Sequence, residues 1–177
     1  VTTRTTITLR DVNRRPERII DWLDDFMGPQ PYAFMSNFYE RPVTYLGLEF
    51  PTTEHAFAWA KVDPDDHDAE AWRDLIAHAE GPGSAKSYGR KCPLRPDWEA
   101  IKFNVMHEIV WAKFDQNVDL AAKLLATGDA YIQEGTLWGD EIWGVDLAAS
   151  DHPFERPGTN WLGTQLMEVR ARLRAGA

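Results

Sequence analysis

The chain has 177 residues and carries 28 Asp and Glu against 19 Lys and Arg, a net charge of -9, which argues against a protein that wraps duplex DNA by neutralising phosphates. One domain accommodates this length, since globular domains take roughly 100 to 200 residues, and 44% hydrophobic with 27% charged residues is ordinary for a soluble globular fold. The single Cys92 excludes an internal disulfide framework and a multi-cysteine zinc site; no run reaches the about 18 apolar residues of a membrane span and the start lacks an apolar signal core, so the expected location is cytoplasmic, without membrane partners.

Residues 1–31 read as an N-terminal elaboration and 32–177 as the main domain. In the first part Thr5 to Leu9 reads as a short strand, and Pro16 to Phe26 carries Ile19, Ile20, Leu23 and Phe26 at helical spacing, ended by Pro29 and Pro31. Val43 to Tyr45 and Leu48 to Phe50 flank Gly47 as a β-hairpin. A helix follows from Thr52-Thr53-Glu54 to about Val62, with a Thr cap and a carboxylate in its first turn. Further helices are expected from Asp66 to His78, from a Ser84 cap through Arg90, and from an Asp97 cap over Trp98 to Phe114, the last burying Ile101, Val105, Ile109 and Ala112. Val118 to Ala126 is another helix; Tyr131 to Gln133 and Glu141 to Trp143 read as short strands. Leu162 to Leu173 closes the chain with Leu162, Leu166, Val169 and Leu173 inward, capped by Thr159 or Asn160. The fold class is α+β: an α-rich single domain with a small antiparallel sheet.

Glycine-rich phosphate loops, a His-Glu-x-x-His pair and a Gly-x-Ser-x-Gly elbow are all absent, which sets aside nucleotide triphosphatases, zinc proteases and serine hydrolases. The segment Pro51 to Lys61 is informative. Glu54 and Lys61 lie almost two helical turns apart and project from one face, with Ala58 between them. On spacing alone such a pair is usually a solvent-facing stripe, but Phe57, Trp59 and Ala60 leave this helix little polar surface. A lysine against apolar walls loses its proton more readily and becomes a nucleophile able to form Schiff bases. His55 has no second His at ligand spacing and reads as a hydrogen-bonding residue; neither a metal nor a cofactor is expected. In the second region, Ile132 to Gly144, the carboxylates Glu134, Asp140 and Glu141 alternate with Trp138, Trp143 and several glycines, which suits either a turn-rich loop or a ligand-stacking surface.

Taken together, Ser36-Asn37-Phe38, Pro51-Thr52-Thr53-Glu54-His55, Lys61, Gly89-Arg90, Asp97-Trp98-Glu99, Glu134, Asp140 to Gly144 and Gly158 to Gly163 resemble, in order, the motifs of the NADAR (YbiA-like) family. Thr53 stands where that family has Ser, and Gln133 where it has an aliphatic residue. The resemblance implies a YbiA-like fold and an N-glycosidase. Its substrate class joins a phosphorylated ribose, as ribose 5-phosphate or ADP-ribose, to an exocyclic amine of an aminopyrimidine from early riboflavin synthesis or of guanine, free or linked to nucleic acid. It further implies Lys61, Glu54 and Asp140 as catalytic residues and Ser36, Asn37, Phe38, Glu134 and Trp143 as ligand contacts. Arg90 is implied for phosphate and Asn160 for ribose or backbone positioning. Two mechanisms fit: a Schiff base on Lys61 with Glu54 moving protons, or direct water attack between Glu54 and Asp140. The alternative class is a catalytically silent module that binds ADP-ribose or NAD-like ligands, which would have no need of Lys61.

Overall fold

The computed structural model describes residues 18–23, 31–137 and 139–176, with only the backbone for 21–23. Two small sheets and six α-helices are found among them. The first sheet is parallel: β1 (Ile19–Leu23) pairs with β4 (Tyr131–Thr136), and β4 pairs with β5 (Val145–Asp146). The second is the expected antiparallel hairpin of β2 (Val43–Tyr45) and β3 (Leu48–Phe50), turned at Leu46 and Gly47, which both have positive φ, at 49° and 81°.

The helical reading of Ile19 and Ile20 is overturned, since they open β1. Both are β-branched, and Ile20, buried, sits opposite Ile132 on β4, which would otherwise present an open edge. Thr5 to Leu9, Phe26 and Pro29 lie outside the described residues. The strand expected at Glu141 to Trp143 is instead a turn, because the Asp140 carboxylate accepts from the backbone N–H of Ile142 at 3.2 Å and of Trp143 at 3.0 Å and curls the chain; β5 begins two residues later.

Helix α1 (Thr53–Ala60) is capped as expected, Thr52 Oγ1 accepting from the His55 N–H. Helix α2 (Ala69–Ala77) starts later than Asp66, since the carboxylates of Asp63 and Asp66 bond the N–H groups of Asp65 and Asp68 and hold turns there. Helix α3 (Pro82–Gly89) takes Pro82 in its first turn rather than a Ser84 cap, using the one position where a missing N–H costs nothing. In α4 (Trp98–Gln116) the Asp97 carboxylate does not cap the helix; it pairs with Arg95 at 2.6 Å. Its buried stripe is rotated from expectation: Val105 and Ile109 are buried with Met106, Val110, Lys113 and Phe114, while Ile101 and Ala112 are only partly covered. Helix α5 (Val118–Leu125) and helix α6 (Trp161–Ala175) complete the set.

The core lies where α4 packs against both α1 and α6, with α6 laid on β4: Ala56, Phe57, Val105, Met106, Ile109, Leu162, Leu166 and Ile132 pack there together. Removing that much apolar surface from water is the dominant favourable term. Two polar clamps set the position of β4. Arg170 of α6 donates to Thr127 Oγ1 at 2.7 Å and to Ala130 O at 2.8 Å, just before the strand. Asn160, held at a left-handed φ of 49°, does not cap α6 with its side chain; its Nδ2 donates to Ile132 O at 2.8 Å and its Oδ1 accepts from Glu134 N at 3.0 Å.

Asn160→Ala leaves a buried N–H and a buried carbonyl of β4 without partners and puts alanine in the left-handed region. The expected loss is about 2–4 kcal/mol of stability, measured by urea unfolding.

Candidate functional site

Helix α1 is enclosed on almost every side, with Thr53 to Ala58 all buried. Its N-terminus is tied to the Ser36-Asn37-Phe38 loop: Asn37 O accepts from Glu54 N at 3.0 Å and from Thr53 Oγ1 at 2.9 Å. Thr53 Oγ1 also reaches Asn37 Oδ1 at 3.1 Å, and Asn37 Nδ2 contacts Met106 Sδ at 3.4 Å. Lys113, fully buried on α4, donates to Ser36 O at 2.6 Å and so fixes the loop from below. Ser36 Oγ in turn accepts from Phe38 N at 3.0 Å. These bonds place the loop residues and the first turn of α1 side by side.

A cavity of about 190 Å³ opens there, lined by Asn37 and Phe38 of the loop, by Glu54, Phe57 and Lys61 of α1, by Lys86 and Arg90 of α3, by Glu134 and Thr136 of β4, and by Met106, Asp140 and Trp143. Eight of the ten residues singled out in the sequence line it. Ser36 and Asn160 do not; both are engaged with backbone, as described. Ala58 does not form the gap between Glu54 and Lys61. It packs against Gly89, where a Cβ would stand 2.8 Å from the Ala58 Cβ, and Phe57 lies toward the cavity instead. That close approach of α1 and α3 brings Lys86 and Arg90 to the rim.

Lys61 sits with its Nζ 4.9 Å from the Phe57 ring centre and 5.9 Å from that of Trp98. Burial pushes its pKa below the ordinary lysine value; Glu54 and Cys92 act in the opposite sense, and the charges of Lys86 and Arg90 add to the lowering. Cys92, buried, has its thiol pKa raised by that burial, against the lowering charge of Lys61, and donates weakly to Gly89 O. Glu54 and Glu134 are both buried, at 5% and 6% exposure, and their acidic groups share one cavity with three cations.

The aromatic wall is continuous. Trp143 meets Phe57 edge to face at 5.4 Å, Phe57 leans on Trp98 at 5.0 Å, and Trp143 touches Phe103, which stacks on Trp161. His55 points away from the cavity: its Nε2 faces Ala79 O at 3.2 Å and its Nδ1 faces Thr52 Oγ1 at 2.8 Å. A carbonyl only accepts, so Nε2 carries the proton, and burial lowers the pKa of the ring. Among the described residues, the grouping with metal-ligand spacing is the solvent-facing Asp66, His67 and Asp68, none of which lines the cavity.

Sequence reasoning missed four lining residues. Lys86 precedes Arg90 by four positions on α3, and Thr136 follows Glu134 by two on β4, so helical and strand periods point to both. Phe57 was one turn from Glu54 and equally accessible to that argument. Met106 arrives from α4 by tertiary packing alone.

The NADAR domain model matches residues 25–174. The chain is 36% identical to the N-glycosidase YbiA of Escherichia coli (strain K12) over 148 residues, covering 80% of this chain and 82% of that protein. It is 33% identical to an N-glycosidase of Nostoc punctiforme, with 82% and 88% covered. It is also 34% identical to a riboflavin biosynthesis protein of Vibrio vulnificus, over 82% of this chain but 37% of that longer protein. The NMR structure of E. coli YbiA superposes with a TM-score of 0.73 at 33% identity, covering 92% of this chain and 89% of that one. A family model spanning most of the sequence, relatives above 30% identity and a shared α+β fold agree: the chain belongs to the NADAR domain family.

Proposed function

We propose that this protein is an N-glycosidase that hydrolyses the bond between a phosphorylated ribose and an exocyclic amine of an aminopyrimidine or guanine, with Lys61 as nucleophile. The observation that carries the reading is a lysine with lowered pKa beside a buried carboxylate in a cavity rimmed by two further cations. The N-glycosidase names of its relatives supply the reaction class.

A glycoside on an exocyclic amine opens its ring to an imine between C1′ and the base nitrogen. The neutral Lys61 amine adds to C1′, and the resulting aminal expels the base amine as Glu54 returns a proton to it. C1′ is left doubly bonded to Nζ. Water adds to that Schiff base with Glu54 accepting its proton, C1′ releases Nζ, and the freed aldehyde closes again to ribose. Base amine and ribose phosphate are the products, one water is consumed, and no redox change occurs. Direct water attack between Glu54 and Asp140 would leave Lys61 without a chemical task.

Lys86 and Arg90, one turn apart on α3, suit the phosphate end. Phe57 and Trp143 offer edges and faces to a flat base. Asp140 also pins the turn that presents Trp143, so it acts as positioning residue for that wall. A cavity of about 190 Å³ is small beside the ~300–1,000 Å³ of usual ligand sites, which favours a ribose 5-phosphate glycoside over a dinucleotide-sized ligand buried whole.

Release of free base from a phosphoribosylamino-pyrimidine and from guanine-linked ADP-ribose tests the reading, and release from neither refutes it. Lys61→Ala should lower kcat at least about a thousandfold, consistent with loss of a covalent nucleophile, while thermal stability holds or rises because a desolvated cation is gone. Borohydride should trap a sugar adduct on Lys61; full turnover by Lys61→Ala would reject the lysine route and spare the hydrolase.

Only the unprotonated amine attacks, so kcat/KM rises as pH rises through the pKa of Lys61 and levels off below the pH an exposed lysine would need. Lys86→Gln removes a charge that lowers that pKa, so the rising limb should move to higher pH. KM for a phosphorylated substrate should rise about tenfold, the loss of one charge-assisted contact. A pH profile of wild type and variant reads both effects.

A further inference from the structure

We propose that the Thr136 hydroxyl is a specificity-determining hydrogen-bond partner of the substrate's ribose, reading the C2–C3 diol together with Glu134. Thr136 ends β4, is 1% exposed and lines the cavity. Its Oγ1 is buried and makes no hydrogen bond among the described residues. An unsatisfied buried hydroxyl weakens a fold and persists where a ligand completes it.

The threonine is oriented by its neighbours. A Cβ on Gly144 would stand 2.9 Å from Thr136 Cγ2 and 2.7 Å from Glu134 O, so the methyl group lies against Gly144 on a residue that lines the cavity. Glu134, two residues earlier, projects from the same face of β4 into the same cavity. A carboxylate accepts only, whereas a threonine hydroxyl both donates and accepts; each hydroxyl of a vicinal diol also does both, so the two side chains and the diol match in polarity. The other parts of the substrate find different walls. Phosphate, an acceptor, suits Lys86 and Arg90 on α3, and a flat base suits Phe57 and Trp143.

This inference rests on the N-glycosidase reading for its choice of ligand, and the test separates the two. Ribose 5-phosphate and its 2-deoxy and 3-deoxy analogues are titrated by calorimetry into wild type, Thr136→Val and Thr136→Ser, with thermal unfolding of each free protein and base release measured in parallel. Valine keeps the shape and strand preference and removes only the hydroxyl. The expected result is at least tenfold weaker ribose 5-phosphate binding by Thr136→Val, with free-protein Tm equal to or above wild type and binding restored in Thr136→Ser. Wild type should prefer ribose 5-phosphate over at least one deoxy analogue about tenfold, and Thr136→Val should lose that preference. Unchanged affinity in Thr136→Val overturns the proposal. So does a lowered Tm that Thr136→Ser fails to rescue, which marks a packing role, and so does absence of ribose 5-phosphate binding by wild type. If ribose 5-phosphate binds through Thr136 but no base is ever released, the hydrolase reading falls and the hydroxyl contact stands.

Discussion

The enclosure of α1 governs the rest of the molecule. Thr52 to Ala58 are all buried, and a helix covered on almost every side leaves little solvent face for its charged residues. Glu54 and, just past the end of the helix, Lys61 both line the cavity between the Asn37 loop, α3 and β4. The enclosure is made by specific contacts: the Asn37 carbonyl on the first turn, Gly89 against Ala58, and Phe57 between Trp98 and Trp143. Loosening any of them would admit water to Lys61 and bring its pKa back toward the ordinary lysine value.

Charge in this cavity differs from charge on the whole chain. The protein carries -9 overall, yet the lining holds Lys61, Lys86 and Arg90 against Glu54, Glu134 and Asp140, equal numbers of each sign. Local balance in an acidic protein suits the proposed reaction, which takes a phosphate and uses a carboxylate for proton transfer. The cations also act on each other. Lys86 and Arg90 lower the pKa of Lys61 while Glu54 raises it, so the same groups proposed to bind phosphate also tune the proposed nucleophile. A bound phosphate would offset their charge and raise the amine's pKa, which ties ligand occupancy to proton affinity.

Helices with a clear period were legible, as were the Thr52 cap and the face shared by Glu54 and Lys61, because a 3.6-residue repeat is a local property; the expected Ser84, Asp97 and Asn160 caps were not. The hairpin was legible from Gly47 for the same reason. What failed depended on distant partners or on side chains bonding the backbone. Ile19 and Ile20 satisfy helical spacing and become a strand only because β4 offers them an edge. Glu141 to Trp143 alternate like a strand and are curled by Asp140. Lys113, which the sequence did not single out, is buried and donates to Ser36 O. Motif order brought most of the cavity residues onto the page, but it could not tell Asn160, which serves the backbone, from Asn37, which reaches the cavity.

Asn160 shows how the site strand is built. Along one edge β4 is held by β1 and by Arg18 O, which accepts from Tyr131 N at 2.9 Å. Along the other, β5 pairs only from Gly135 onward, leaving Ile132 O and Glu134 N without a neighbouring strand. The Asn160 amide, one donor and one acceptor, occupies that gap as a single residue of strand would. A left-handed backbone, tolerated by Asn better than by most residues, turns the amide toward β4. The strand that presents Glu134 and Thr136 is thus bonded on both edges along its length. One of those edges comes from residues 19–23, ahead of residue 25 where the family match begins, so a segment outside the shared domain pattern helps set the position of two residues inside the cavity.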